Sequence, residues 1–419
     1  MISLSKLLDR PISLDGRKFD VSLLWMVVLM TAFSLVMIYS ASIAYAASEG
    51  GNQFSFVSKQ AMFVGASVLG CLGLSLLSMS FWRKIIPFYF AFSAILLVVV
   101  LFVGREINGA TRWIHIGPVN LQPTELFKLA TVLYLSSLFT RREEVLRSMD
   151  SLGLKPLFVG LFNAFLCPFS KEARQKTWQK LKKFKNILLP IVMIALGLVL
   201  VMAQPDFGSF VVIVSITMGM LFLAGFPWKY FAVLVLSVLG GMGVMILAAP
   251  YRMARVSAFL DPWGDPLGKG YQLTHSLMAI ARGEWFGQGL GASLEKRFYL
   301  PEAHTDFITA VIGEEFGFLG MMLLTACYLW LVWRAFSIGK MARDLEQFFG
   351  AFVASGVGIW LGIQSFFNIG VNIGLLPTKG LTLPLISFGG SALVAMLIAV
   401  ALLLRVDYEN RRKMRGFEV

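Results

Sequence analysis

Ten stretches of the chain are apolar almost without interruption: 22–46, 57–79, 85–104, 122–140, 187–204, 207–225, 228–249, 307–333, 348–375 and 383–404. As helices rising about 1.5 Å per residue, such stretches match roughly 30 Å of hydrocarbon. The helix is also the form in which a single segment satisfies its own backbone in lipid. The pattern therefore predicts an all-α polytopic membrane protein with about ten transmembrane helices. The fourth stretch is interrupted by Glu125 and Lys128, and the fifth and sixth are separated by the tight Gln204-Pro205-Asp206 turn. The first ends in Ala44-Tyr45-Ala46, which has the look of a cleavage site, but its apolar run is too long for a secretory signal and reads as an uncleaved anchor.

Charge between the stretches sets the orientation. With the N-terminus in the cytoplasm, twenty-six Lys and Arg fall on the cytoplasmic side and ten on the other, the direction that the positive-inside rule requires. The expected organisation is a cytoplasmic segment 1–21, a transmembrane domain 22–404 and a basic cytoplasmic tail 405–419. The 141–186 loop is basic and cytoplasmic, whereas the external loop 250–306 balances six basic against six acidic residues. Within that external loop, 261–266 carries turn chemistry, 271–282 suits a short interfacial or re-entrant helix, and Gly287, Gly289 and Gly291 break it. Composition agrees: 57% of residues are hydrophobic, 15% are charged, and the mean hydropathy is +0.74. The net charge of +13 does not indicate nucleic acid, because the basic residues are spread between apolar runs rather than gathered on a soluble surface. Cys71, Cys167 and Cys327 form no evident disulfide framework.

Charges within or beside membrane helices are costly, which makes them candidates for function or for pairing. Glu125 and Lys128, three residues apart, share a helical face and can neutralise each other or line a hydrophilic cavity. Upstream, Arg112 beside Trp113 suits a headgroup phosphate next to an apolar tail, although Trp also anchors helices at interfaces. Asp306 stands near the first turn of the eighth stretch, where it either complements the helix N-terminus or serves as a general base. Lys296 and Arg297 lie nearby for an anionic group, and Glu314 and Glu315 follow two turns further in. The three histidines, His115, His275 and His304, have no metal-motif spacing, and no nucleotide-cradling glycine loop occurs. Gly313 and Gly317, Gly358 and Gly362, and Gly370 and Gly374 are spaced for close helix packing.

The block Leu300-Pro301-Glu302-Ala303-His304-Thr305-Asp306-Phe307-Ile308, followed by Ile312-Gly313-Glu314-Glu315, resembles the signature of the SEDS family of peptidoglycan polymerases. The resemblance extends in order through Asn108-Gly109-Ala110-Thr111-Arg112-Trp113, 122–128, 204–208 and 376–391. Ala303 and Thr378-Lys379-Gly380 are closer to the division members than to the elongation members, while Phe388 and Thr309 depart mildly from the pattern. It implies a glycosyltransferase of the bacterial cytoplasmic (inner) membrane that polymerises lipid II into glycan strands at the division septum, with undecaprenyl pyrophosphate leaving. It also implies Asp306 as the candidate base. The candidate substrate-binding residues are Arg112, Trp113, Gln122, Glu125, Lys128, Gln204, Asp206, Lys296, His304, Thr305, Lys379 and Ser387. No cofactor is required with certainty, and a divalent cation, Mg or Mn, is left open as an aid to the leaving group. The implied partners are a class B penicillin-binding protein (an FtsI-like transpeptidase) and other division proteins.

A lipid II flippase and a non-catalytic division scaffold are the competing classes. A flippase needs a polar route through the whole bilayer, whereas a polymerase needs only a cavity open to one side. The predicted topology has its own test. Single cysteines introduced into the 250–306 loop are expected to react with an impermeant thiol reagent from outside the cell, and those in 141–186 only after the membrane is breached; reaction of both from one side would overturn the orientation.

Overall fold

The computed structural model describes residues 19–48, 52–107, 110–117, 119–147, 192–248, 250–378 and 380–417; most of the 141–186 loop, Cys167 and Lys379 lie outside them. Each of the ten apolar stretches contains a helix. They are α1 (Val21–Ser48), α2 (Ser55–Leu76), α3 (Met79–Val103), α4 (Pro123–Arg147), α5 (Val192–Ala203), α6 (Phe207–Leu223) and α7 (Trp228–Leu247), then α10 (Ile308–Asp344), α11 (Phe348–Asn372) and α12 (Gly390–Met414). Seven of these, α1, α2, α3, α7, α10, α11 and α12, are long and apolar enough to cross a membrane; α5 and α6 are shorter apolar helices. Helices α4, α10 and α12 run past the ends of their apolar stretches, to Arg147, Asp344 and Met414. Charged residues there end the apolar segment without ending the helix, because Lys, Arg and Glu are good helix formers.

Two shorter helices, α8 (Pro250–Leu260) and α9 (Tyr271–Gly283), occupy the long 250–306 segment. Helix α9 falls where the sequence suggested an interfacial one, and Gly287, Gly289 and Gly291 all take positive φ just after it. Between α3 and α4 the chain forms three short antiparallel strands that the helical reading did not anticipate. They are β1 (Arg105–Ile107), β2 (Ala110–Ile116) and β3 (Val119–Leu121), in sequential order.

Helix α11 is the centre of the bundle, packed by α10, α4, α6 and α12 and buried along most of its length. Its glycines permit this. A Cβ on Gly358 would sit 3.1 Å from Ala335, one on Gly362 3.2 Å from Val332, and one on Gly356 2.8 Å from Val132, so α10 and α4 approach the α11 backbone directly. This is the close packing that the small-residue spacing suggested.

Helix α10 is broken at Gly317, whose φ of 66° and ψ of −164° lie in a region that essentially only glycine enters. The break frees backbone groups, and the segment after α9 satisfies them. Gln288 N–H donates to Glu314 C=O at 2.9 Å, Gly289 N–H to Glu315 C=O at 3.0 Å, and Phe318 N–H to Glu284 C=O at 2.8 Å. A second set of bonds fixes the same junction through side chains. Lys296 Nζ donates to Glu315 at 2.6 Å and to Ser40 on α1 at 2.8 Å, while Glu314 accepts from Ser293 Oγ at 2.6 Å and Arg282 at 3.2 Å. Lys296 and Glu315 are both buried, so removing either would strand the other at a cost of about 3–5 kcal/mol.

Gly317→Ala is expected to lower stability by roughly 3 kcal/mol, because strain adds to a clash: its Cβ would lie 2.4 Å from Gly287 N and 2.7 Å from Gly283 O. Thermal unfolding followed by size-exclusion in detergent measures this, and an unchanged midpoint would show that the break does not need glycine.

Candidate active site

Chain direction brings three separate pieces to one end of the bundle: the sheet after α3, the segment before α10, and the loop between α11 and α12. Each is held by polar groups that an apolar environment makes expensive to leave unpaired. Ser391, in the first turn of α12, accepts from Gln122 N–H at 3.0 Å and donates to Asn120 C=O at 2.8 Å, pinning β3 to that helix. Arg112, on β2, reaches across to the α5–α6 turn, where it donates to the carbonyls of Gln204, at 3.4 Å, and Pro205. Asp206 caps α6 through Ser209 N–H at 3.1 Å, and its other oxygen accepts from Gln122 at 3.3 Å and Thr124 at 3.4 Å.

The backbone at Asp306 is held from α11. Asn368 Nδ2 donates to Asp306 C=O at 2.9 Å and Asn372 Nδ2 to the same carbonyl at 3.1 Å. Asn368 also donates to Leu381 C=O at 2.6 Å, so a single side chain ties the carboxylate-bearing segment to the facing loop. Ser387 Oγ, from that loop, donates to Thr305 C=O at 2.6 Å. The asparagines are themselves oriented: Thr309 donates to Asn368 Oδ1 at 2.6 Å, and Ala310 N–H to Asn372 Oδ1 at 3.1 Å.

These pieces enclose a cavity of about 650 Å³. Asp306 lies at its wall, with Arg112 and Trp113 from β2, Arg255 from α8, Glu302 and Thr305. A Cβ on Gly380 would stand 3.0 Å from Asp306 Oδ2 and 3.8 Å from an Arg112 guanidinium nitrogen, so carboxylate and cation flank the bare backbone of that glycine. Removal from water, with the negative charges of Glu302 and Asp206, raises the Asp306 pKa to about 7, against the opposing pull of Arg112 and Arg255. At neutral pH the group is therefore poised between acid and carboxylate.

Of the residues singled out from sequence, Asp306, Arg112, Trp113, Gln122 and Thr305 line the cavity. Others serve the frame around it. Lys128 Nζ donates to Glu125 at 2.7 Å and to Gln364 at 3.2 Å, closing the pair on itself inside the bundle. Gln204 is buried and bonds Leu97 C=O at 3.1 Å; Lys296 is spent on Glu315 and Ser40; Ser387 bonds backbone. His304 sits among the rings of Tyr45, Phe56 and Phe388, and Lys379 is outside the described residues. Sequence reading missed Arg255, Glu302, Asn368 and Asn372. The asparagines were detectable: Gln364, Asn368 and Asn372 recur every fourth residue in a mostly apolar helix, a polar stripe on one face.

Among the described residues, no group of three or more His, Cys, Asp or Glu side chains is arranged to hold a metal ion. The cavity offers two carboxylates, Asp306 and Glu302, with two arginines beside them. That donor set favours binding an anion through arginine over caging a cation.

The fold and cavity define a multi-pass membrane protein with a carboxylate–arginine site at one end of a helical bundle. The FtsW/RodA/SpoVE family profile, described as cell cycle protein, matches residues 21–412, and the chain belongs to that family. It is 67% identical over 414 residues to a protein of Neisseria gonorrhoeae named probable peptidoglycan glycosyltransferase FtsW, covering 99% of this chain and 90% of that one. A protein of the same name from Aromatoleum aromaticum is 45% identical over 96% of this chain and 90% of its own length. Among solved structures, a chain from a peptidoglycan synthase complex that coordinates polymerization and crosslinking superposes with a TM-score of 0.69 at 28% identity, covering 94% of this chain and 98% of that one. The rod shape determining protein RodA of Thermus thermophilus does so at 0.62 and 25%, covering 94% and 97%.

The raised pKa makes a stability prediction. Because folding favours the protonated acid, the contribution is fully present below about pH 4 and is lost as pH rises through about 7. Asp306→Asn is therefore expected to raise the thermal midpoint at pH 8.5 relative to the parent, with a smaller difference at pH 5; equal shifts at both values would contradict the ionisation argument.

Proposed function

We propose that this chain is a peptidoglycan glycosyltransferase that polymerises lipid II at the division septum of the bacterial cytoplasmic membrane. The observation that carries the reading is the Asp306 carboxylate facing Arg112 across Gly380 in a polar cavity at the end of a lipid-embedded bundle. The family relatives named as peptidoglycan glycosyltransferases support it.

In this reading Asp306 accepts the proton of the acceptor sugar's 4-hydroxyl as its oxygen attacks the anomeric carbon of the donor sugar. The new glycosidic bond forms as the bond to the pyrophosphate oxygen breaks, and undecaprenyl pyrophosphate departs. A pyrophosphate needs charge neutralisation more than it needs a proton, so one carboxylate suffices where a glycosidase uses two. Arg112 and Arg255 supply that positive charge, while Trp113 and Phe388 offer apolar wall beside it. Asn368 and Asn372 act as positioning residues, fixing the backbone from which the base projects. Any divalent cation would assist the leaving group, and no step here depends on one. A class B penicillin-binding protein would crosslink the product, in keeping with the synthase complex that this chain resembles.

Flippase action gains no support from Glu125 and Lys128, which close on each other and on Gln364 inside the bundle. Purified chain in detergent, where there is no membrane to cross, tests the proposal. It is expected to form glycan from lipid II, alone or with its transpeptidase partner, at a rate rising with pH through about 7. Asp306→Asn should reduce that rate by roughly 10³-fold, within the range for loss of a general base. Polymerisation by the Asp306→Asn variant at the parent rate would sink the mechanism. A scaffold role alone would instead predict that a correctly localised Asp306→Asn chain still supports division.

A further inference from the structure

A second cavity, of about 600 Å³, lies at the opposite end of the bundle. The placement follows from chain direction. Helix α3 leaves this cavity at Met79 and ends at the sheet, α11 leaves it at Phe348 and ends at the asparagines beneath Asp306, and α4 runs the other way to reach it at Thr140 and Arg141. Arg83, Lys84 and Arg141 line it, and none of the three has an ion-pair or hydrogen-bond partner among the described residues. Of its two carboxylates, Glu409 is engaged by Met79 N–H and Arg405, both at 2.9 Å, and Glu346 is exposed. Phe348, Phe349 and Gly350, the first turn of α11, also line it, and Gln347 makes no side-chain capping bond there. Three cations without a partner among the described residues, beside a helix start with no side-chain cap, make a receptor for a phosphate group.

The surface next to the cavity narrows the source of that phosphate. Lys84, Phe88, Phe92 and Ile95 follow one another at helical spacing on α3, and all four are exposed. A cation therefore heads an apolar lane running from the cavity along the direction of the hydrocarbon, the arrangement in which a Lys snorkels to a headgroup while its stem lies on acyl chains.

We propose that this cavity binds the anionic phosphate headgroup of a membrane phospholipid, in the leaflet opposite the Asp306 site, with the acyl chains lying along the exposed face of α3. The basic residues at this end then do more than set orientation, since they form a lipid site that the catalytic reading does not use.

Native mass spectrometry of the purified, delipidated full chain tests this with dioleoyl-phosphatidylglycerol, dioleoyl-phosphatidylcholine and inorganic phosphate as probes. Phosphatidylglycerol should be retained over phosphatidylcholine, and inorganic phosphate in excess should not displace it. Each charge removed by Arg83→Gln, Lys84→Gln or Arg141→Gln should weaken retention about fivefold. Lys229→Gln, on an exposed residue at the same end but outside the cavity, should change nothing. Should Arg83→Gln or Arg141→Gln fail to fold, Lys84→Gln, on an exposed side chain, carries the test. Equal retention by variant and parent, equal retention of both lipids, or displacement by inorganic phosphate alone would each overturn the proposal.

Discussion

The carbonyl of Asp306 accepts two hydrogen bonds from α11, and the placement of the site depends on them. In a surround of low polarity, a segment that leaves helical geometry must find partners for every backbone group it exposes. The segment before α10 does so by borrowing Asn368 and Asn372 from a helix that is already buried and Ser387 from the facing loop, and that loop in turn receives a hydrogen bond from Asn368 at Leu381 C=O. The carboxylate is thereby carried by irregular backbone whose carbonyl is held from α11. The break at Gly317 follows the same rule, with the segment after α9 supplying the missing partners.

Electrostatics at the two ends of the bundle differ in kind. Near Asp306 the charges are mixed and crowded, and removal from water leaves the acid with a pKa of about 7. At the other end, Arg83, Lys84 and Arg141 surround a cavity bordered by apolar surface and have no ion-pair partner among the described residues. Apart from both are two buried pairs: Glu125 with Lys128 within α4, from which Lys128 also reaches Gln364 on α11, and Lys296 with Glu315, which ties the segment after α9 to α10.

How much of this was legible in the sequence depends on the range of the signal. Runs of apolar residues long enough for a membrane are a local property, and each of the ten contains a helix. The short helix at 271–282 and the glycines that end it were likewise local. The three strands were not legible, because β2 is a mixed run whose strand character comes from pairing with its neighbours. Among the site residues, Asp306, Arg112 and Trp113 could be read because charge or aromatic character at a membrane surface is unusual by itself. Lys296 carried the same surface signature but turned inward to Glu315 and Ser40, and Ser387, marked only by the family motif, bonds the Thr305 carbonyl; these partners are contributed by distant segments. Arg255 and Glu302 looked like ordinary loop charges until the fold brought them to the cavity.

Helix α11 spans 25 residues, about 37 Å at 1.5 Å per residue, with the asparagines that hold Asp306 at one end and the phosphate-receptive turn at the other. Buried on nearly every side, it acts as a ruler cut to the thickness of the bilayer. The depth of the Asp306 cavity is then gauged from the far leaflet, and a membrane that thickens or thins shifts the lipid around the protein without shifting one end of the ruler against the other.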